Sequence, residues 1–535
     1  MVRLSLALLV LALGCGDDDD SALPMEDAAV AEDGGPVVEP PEVETTLGTV
    51  IGGRENGSLE FLGIPYAAPP VGELRFRRPQ PPESWSEPFD ATGRPSRCEQ
   101  EAIGISVPGS EDCLVVNVHT PDPMPTDAPV LFWIHGGAFV FGEGIQTDGG
   151  TKGDLLARDH GLVVVSVNYR LGPYGFMAHP AFDEDGAPGN VGFWDQLAAL
   201  RWTRENIAAF GGDPDRITLV GESAGGVSVC ALLASAETEG MIAAAISQSG
   251  LCDDPLGTID DASARAIELA EALDCRGSDD AIRTCMRAAT PEEIAAADPS
   301  ADAGGLGARA WWPIVDGELV TAQFRDRLAD GAAADIPTLV GWNQDEGTLF
   351  VMLAEREGEV ADAAAYESSV ADLASRFGVD EAAIRAQYPM DESDPGATIA
   401  AMLGDASLAC PSRRAALLLA DRGPTWAYLF TYPDAGFQLA TERDLGAFHS
   451  GEIQFVFGHP SAIGQRSFRG DEVAVHDSMS AWWAAFVTDL DPADAGGAAW
   501  PELDASAPEA MGLDAAPAVR DDPFADACAL WDAAR

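Results

Sequence analysis

The chain has 535 residues, with 88 acidic against 31 basic side chains and a formal net charge of −57. Such a surface repels nucleic acid and anionic membranes, so neither is expected as a direct partner. A hydrophobic fraction of 46% over this length suffices for a large core, in keeping with one extended α/β catalytic domain.

Arg3 precedes the apolar run Leu4–Leu13, which ends at Gly14-Cys15. A basic head and an apolar stretch too short to cross a bilayer read as a secretory signal over residues 1–14. A small residue followed by cysteine resembles the bacterial lipoprotein box, with Ala12 standing where leucine is usual. The chain is therefore expected to be exported, with lipidated Cys15 holding it to a membrane at the periplasmic or cell-surface side. Ordinary cleavage and secretion is the other outcome. Residues 16–44 carry acids but no Lys or Arg, broken by Pro24, Pro36, Pro40 and Pro41. Residues 15–44 thus read as a lipidated cysteine and a self-repelling disordered tether, and 45–535 as the folded domain.

Strands are expected at Gly48–Gly52 and Phe61–Ile64. Three short β-branched runs follow, Leu114–Val118, Val130–Ile134 and Leu162–Val167, each reading as a buried strand. Asp195–Phe210 has helical spacing and stops at Gly211-Gly212. Ile217–Val220 is a strand, Ala224–Ala236 its following helix, and Ala243–Ile246 and Thr338–Gly341 are further strands. The Ala-rich stretches 255–335 and 350–430 read as helical insertions walling a cleft. Alternating strands and helices predict an α/β fold with a mostly parallel sheet covered on both faces.

Between the strand 217–220 and its helix stands Gly221-Glu222-Ser223-Ala224-Gly225-Gly226. A G-x-S-x-G turn from strand to helix is a nucleophile elbow, which lifts a serine hydroxyl out of the sheet. Such a serine needs a histidine base, an acid to fix the imidazole and donors for the oxyanion. On this kind of sheet acid and base follow the serine in sequence. Only His449, His459 and His476 lie well beyond Ser223. His449, in the loop Gly446–Gly451 before the run Ile453–Phe457, is favoured by position. The acid should follow a strand end, and Asp345 or Glu346 after the strand 338–341 would serve. The strand 130–134 ends in His135-Gly136-Gly137-Ala138-Phe139, whose backbone N–H groups could join that of Ala224 around an oxyanion. His135 would orient this loop rather than act as base.

No C-x-x-C occurs, and export permits disulfides. Cys98 with Cys113, Cys275 with Cys285 and Cys410 with Cys528 would close loops, but spacing alone does not fix the pairing. Cys230 and Cys252 remain, as buried thiols or a fourth bridge.

These segments together resemble the type-B carboxylesterases, the cholinesterase-like α/β-hydrolases, over about residues 45–535. The resemblance rests on Phe61–Phe76, Glu111–Leu114, Asn168–Gly172, Gly189–Gly192, Phe210–Pro214, the elbow and Gln248–Gly250. It implies Ser223 as nucleophile, Glu346 rather than Asp345 as acid, and His449 as base. It further implies an oxyanion hole of Gly137, Ala138 and Ala224, supporting roles for Ser249 and Glu452, and the three cysteine pairs named above. The implied activity is hydrolysis of small-molecule carboxylic esters through an acyl-enzyme, without metal or cofactor. Amides, thioesters and lactones remain open as substrates, as does a non-catalytic adhesion role on the same fold. Choline esterases carry a tryptophan in the loop closed by the first disulfide. Residues 98–113 contain no aromatic, so no quaternary-ammonium site is expected there. Trp311-Trp312 fall near the family's acyl pocket, or in ordinary core.

Overall fold

The computed structural model describes residues 39–100, 109–146, 150–185, 189–299, 311–433, 443–460, 467–522 and 524–533. The signal stretch, Cys15 and nearly all of the acidic tether lie outside them. Four short strands open the described chain: β1 (Glu42–Thr45), β2 (Gly48–Ile51), β3 (Gly53–Glu55) and β4 (Ser58–Pro65). Pairing therefore begins at Glu42, inside the stretch that charge alone assigns to the tether. Next come β5 (Phe89–Asp90), β6 (Val115–Pro121), β7 (Ala128–Ile134), β8 (Val163–Val167), β9 (Gly212–Glu222) and β10 (Ala244–Gln248). The last four are β11 (Thr338–Asn343), β12 (Thr425–Phe430), β13 (Glu509–Leu513) and β14 (Ala518–Asp521). Strand β12 corrects the reading of 350–430 as wholly helical.

The main sheet runs β14-β13-β12-β11-β10-β9-β7-β8-β6-β4-β3. Its centre, from β8 through β13, is parallel, and both margins are antiparallel. A parallel sheet is covered on both faces, so the central stretches of its strands are mostly apolar. Every residue of β7 is buried. Val130, Phe132 and Ile134 enter one core while Leu131 and Trp133 enter the other, following the two-residue period of a strand. Helices α1 (Val191–Asn206) and α2 (Ala224–Ala234) pack Phe193, Leu197, Val227 and Ala231 into the first core. Helix α3 (Asp471–Asp489) brings Met479, Trp482, Trp483 and Phe486 to the second.

Three of the motifs that carry the resemblance supply members of two ion pairs, one fully buried and one largely so. Arg170 grips Asp195 of α1 through Nε–Oδ2 at 2.8 Å and Nη2–Oδ1 at 2.6 Å, and Arg75 Nε donates to Glu111 at 2.6 Å. The three expected disulfides are present, and Cys230 pairs with Cys252 as a fourth, their Cα atoms 5.5 Å apart. Among the described residues no helix is long and apolar enough to cross a membrane, and no group of three His, Cys, Asp or Glu could hold a metal ion.

Candidate active site

Ser223 separates β9 from α2 with φ 55° and ψ −120°, the sharp turn that an elbow requires. The neighbouring glycines are forced by contact. A Cβ on Gly225 would sit 2.0 Å from the Ile134 carbonyl oxygen, and one on Gly221 would sit 2.4 Å from that of Gly225. The elbow thus lies flush against the end of β7 and the loop beyond it. In that loop a Cβ on Gly136 would meet the Ser223 Cβ at 3.1 Å, which puts the His135–Phe139 segment beside the serine. Gly137, Ala138 and Phe139 all have positive φ, at 108°, 52° and 63°. Ala224 opens α2, so its N–H has no carbonyl one turn back to pair with. His135 stacks on Tyr169 at 4.4 Å, and Tyr169 Oη donates to the His135 carbonyl at 2.9 Å. Burial pushes the His135 pKa down to about 4, leaving a neutral ring that braces the loop.

Glu346 lies three residues past β11 and is buried. Its Oε2 is 2.6 Å from His449 Nδ1, and its Oε1 accepts from Ser249 Oγ at 2.6 Å and from the Asn343 N–H at 2.8 Å. Glu452 is also buried and accepts from Gln248 Nε2 at 2.9 Å and Asn343 Nδ2 at 2.6 Å. Ser249 and Glu452 therefore both touch the acid–histidine surroundings. Asp345, the other candidate acid, faces elsewhere. Its Oδ2 accepts the Ala447 N–H at 2.8 Å and its own N–H donates to the Ala447 carbonyl at 2.9 Å, tying the acid turn to the histidine loop. His459 bonds Asp154 and His476 bonds the Phe455 carbonyl, both away from Glu346.

One partner of His449 escapes sequence reasoning. Glu222, immediately before the serine, places Oε1 3.2 Å from His449 Nε2, and the same oxygen accepts from Ser450 Oγ at 2.6 Å. Burial alone would lower the His449 pKa, but the carboxylates of Glu222 and Glu346 outweigh it and hold the pKa above the ordinary histidine value. Burial likewise pushes Glu222 up, against the pull of His449. A hint lay in the motif itself, since an acid at its second position travels with the serine to the sheet edge.

The tryptophan pair divides. Trp311 is core, its Nε1 donating to Asp298 Oδ2 at 2.8 Å. Half-buried Trp312 meets Phe139 edge to face at 5.2 Å, at the end of the His135–Phe139 loop. Phe350, on the helix Thr348–Arg356, lies 5.0 Å from the His449 ring. The first-disulfide loop that lacks aromatics is described only at its two ends, since 101–108 lie outside the described residues.

The profile of the carboxylesterase family matches residues 39–531. The chain belongs to the carboxylesterase family. The para-nitrobenzyl esterase of Bacillus subtilis (strain 168) is 33% identical over 495 residues, 90% of this chain and 96% of that protein. The cocaine esterase of Homo sapiens is 32% identical over 525 residues, 93% of this chain and 89% of that protein. Among solved structures, a PNB esterase has a TM-score of 0.79 at 31% identity, covering 92% of this chain and 100% of that one. A thermophilic PNB esterase reaches 0.81 at 31% identity with the same coverage. The chain is a carboxylic-ester hydrolase on the α/β-hydrolase fold.

Proposed function

We propose that this esterase works through a Ser223–Glu346–His449 triad and an acyl-enzyme. Ser223 Oγ attacks the ester carbonyl while His449 Nε2 takes its proton. Glu346 holds Nδ1–H and stabilises the imidazolium that forms. The N–H groups of Gly137, Ala138 and Ala224 receive the oxyanion. His449 then returns its proton to the leaving alcohol, and water, activated by the same imidazole, releases the acid. The observation that carries this reading is the 2.6 Å contact between Glu346 and His449 Nδ1, with Glu346 Oε1 already held by two further donors. An acid so fixed can set one tautomer and one ring orientation, as the chemistry requires.

Substrates are small carboxylic esters, with half-buried Trp312 bordering the acyl side and Phe139 packed behind it. Export is part of the proposal, with Cys15 carrying lipid. Four disulfides in one chain support an oxidising compartment. Replacing Ser223 by Ala is expected to abolish turnover of short-chain p-nitrophenyl esters in a protein whose circular dichroism is unchanged. Retained turnover overturns the triad. A panel of esters varying acyl and alcohol parts separately defines the substrate, and the mass of the mature N-terminal peptide tests lipidation.

A further inference from the structure

The five residues Gln248–Cys252, leaving the end of β10, touch most parts of the site. The Gln248 carbonyl accepts the N–H of Ser223 at 2.8 Å, and Gln248 Nε2 reaches Glu452. Ser249 Oγ holds Glu346. Gly250 is pressed against the elbow helix, since a Cβ there would lie 1.9 Å from Ser247 Oγ and 2.8 Å from the Gly226 carbonyl carbon. Cys252 is bridged to Cys230, seven residues after the nucleophile on α2. Both ends of the segment are therefore fastened to one rigid unit, the elbow and its helix.

Between those fastenings the backbone is unfavourable. Ser249 and Leu251 have φ of 50° and 49°, a conformation that side-chain-bearing residues adopt only when their surroundings impose it. The Ser249 N–H is also held, by the Gly341 carbonyl of β11 at 2.8 Å, so what the bridge at Cys252 adds is restraint on Gly250 and Leu251, whose relaxation would turn the Ser249 hydroxyl off Glu346. We propose that the buried Cys230–Cys252 disulfide is a positioning element of ester hydrolysis, holding the 249–251 turn so that Ser249 fixes the catalytic acid. This inference rests on the triad assigned above. The next residues are attached elsewhere. Asp253 pairs with Arg414 and with Arg325, and Asp254 with Arg376 at 3.4 Å. These contacts reach the helices Cys410–Ala420, Phe324–Ala329 and Ala363–Phe377, not the elbow. They keep the fold assembled without the bridge, but they do not restrain Ser249.

The test is the Cys230→Ala/Cys252→Ala pair, alone and combined with Ser249→Ala, assayed with a short-chain p-nitrophenyl ester. The bridge-less enzyme is expected to lose roughly tenfold to a hundredfold in kcat with KM unchanged. Ser249→Ala should cost a similar factor in the parent and little more in the bridge-less background, since both changes remove the same contact. Unchanged kcat, or losses that multiply, would overturn the proposal. Cys230→Val/Cys252→Ala restores lost volume and should remain as slow. Full recovery would mean a packing defect and not a lost restraint. If thermal unfolding shows that neither pair folds, the bridge serves the fold alone and the proposal fails. Ser223→Ala separates the two levels. Should it stay active, the triad is wrong. Should it be inactive while the bridge-less enzyme is unimpaired, only this inference falls.

Discussion

The Glu222 carboxylate lies 3.2 Å from His449 Nε2, at the opposite end of the imidazole from the 2.6 Å contact with Glu346. One ring is thus held between two buried carboxylates, both favouring its charged form. A base must be neutral to accept a proton, so this arrangement delays activity to higher pH. Glu222→Gln keeps the shape and removes one charge. The His449 pKa should then fall, and the acid limb of the kcat/KM–pH profile should move to lower pH. A profile left in place, or moved upward, would show that Glu222 does not govern the base.

Asp345 and Glu346 are adjacent acids with different tasks in this geometry. Glu346 faces the imidazole, whereas Asp345 fastens the histidine loop through both the N–H and the carbonyl of Ala447. Glu346→Gln should lower kcat by about 10³- to 10⁴-fold, as expected when a triad acid can no longer fix the tautomer. Asp345→Ala should cost only roughly tenfold, by loosening the loop that carries His449, with KM little changed. Equal losses from the two substitutions would assign the acid wrongly.

The central sheet was legible because buried parallel strands are apolar on both faces and so stand out as short runs. Strand β12, Thr425–Phe430, was hidden by its setting at the end of a long Ala-rich stretch, although all six of its residues are buried. Strand β1 was hidden by composition. In Glu42-Val43-Glu44-Thr45 only Val43 is buried, and the acids that continue the tether's charge are the outward half of a strand alternation. In the site, Ser223 announces itself because its turn chemistry is local. Glu222 does not, because its partner belongs to a loop that only the folded sheet brings near. The same holds for Cys230 and Cys252, since two free cysteines and a spacing do not choose between thiols and a bridge.

The elbow glycines set a steric test. Gly225→Ala would drive a methyl to 2.0 Å from the Ile134 carbonyl oxygen, a backbone atom that cannot move without displacing β7. Destabilisation of about 3 kcal/mol or more is expected from such overpacking, read as a lower urea midpoint together with lost esterase activity. Gly240→Ala serves as the contrast. A Cβ there meets nothing within 4 Å, so only its φ of 71° opposes the change, and the loss should be about 1 kcal/mol. Comparable midpoints for the two variants would refute the close approach.

A buried carboxylate hydrogen-bonded to a half-buried histidine governs acid stability. Asp154, at the start of the helix Asp154–His160, accepts from His459 Nε2 at 2.6 Å and from Asn56 Nδ2 at 2.7 Å. Burial alone would raise its pKa, but His459 and Asn56 prevail and lower it from 3.8 to about 2. A carboxyl depressed in the folded state binds its proton more readily when unfolded. Its contribution is therefore complete above the unfolded value and disappears as pH falls from about 4 toward 2. Asp154→Asn removes that contribution. It should lower the unfolding free energy at pH 6 by about 1–2 kcal/mol, and the gap to the parent should narrow as pH falls through this window. Urea unfolding at pH 6, 4 and 3 measures both slopes. A gap that stays constant across the three would show that the Asp154 charge, and with it the tie to His459 beyond the histidine loop, contributes nothing to the fold.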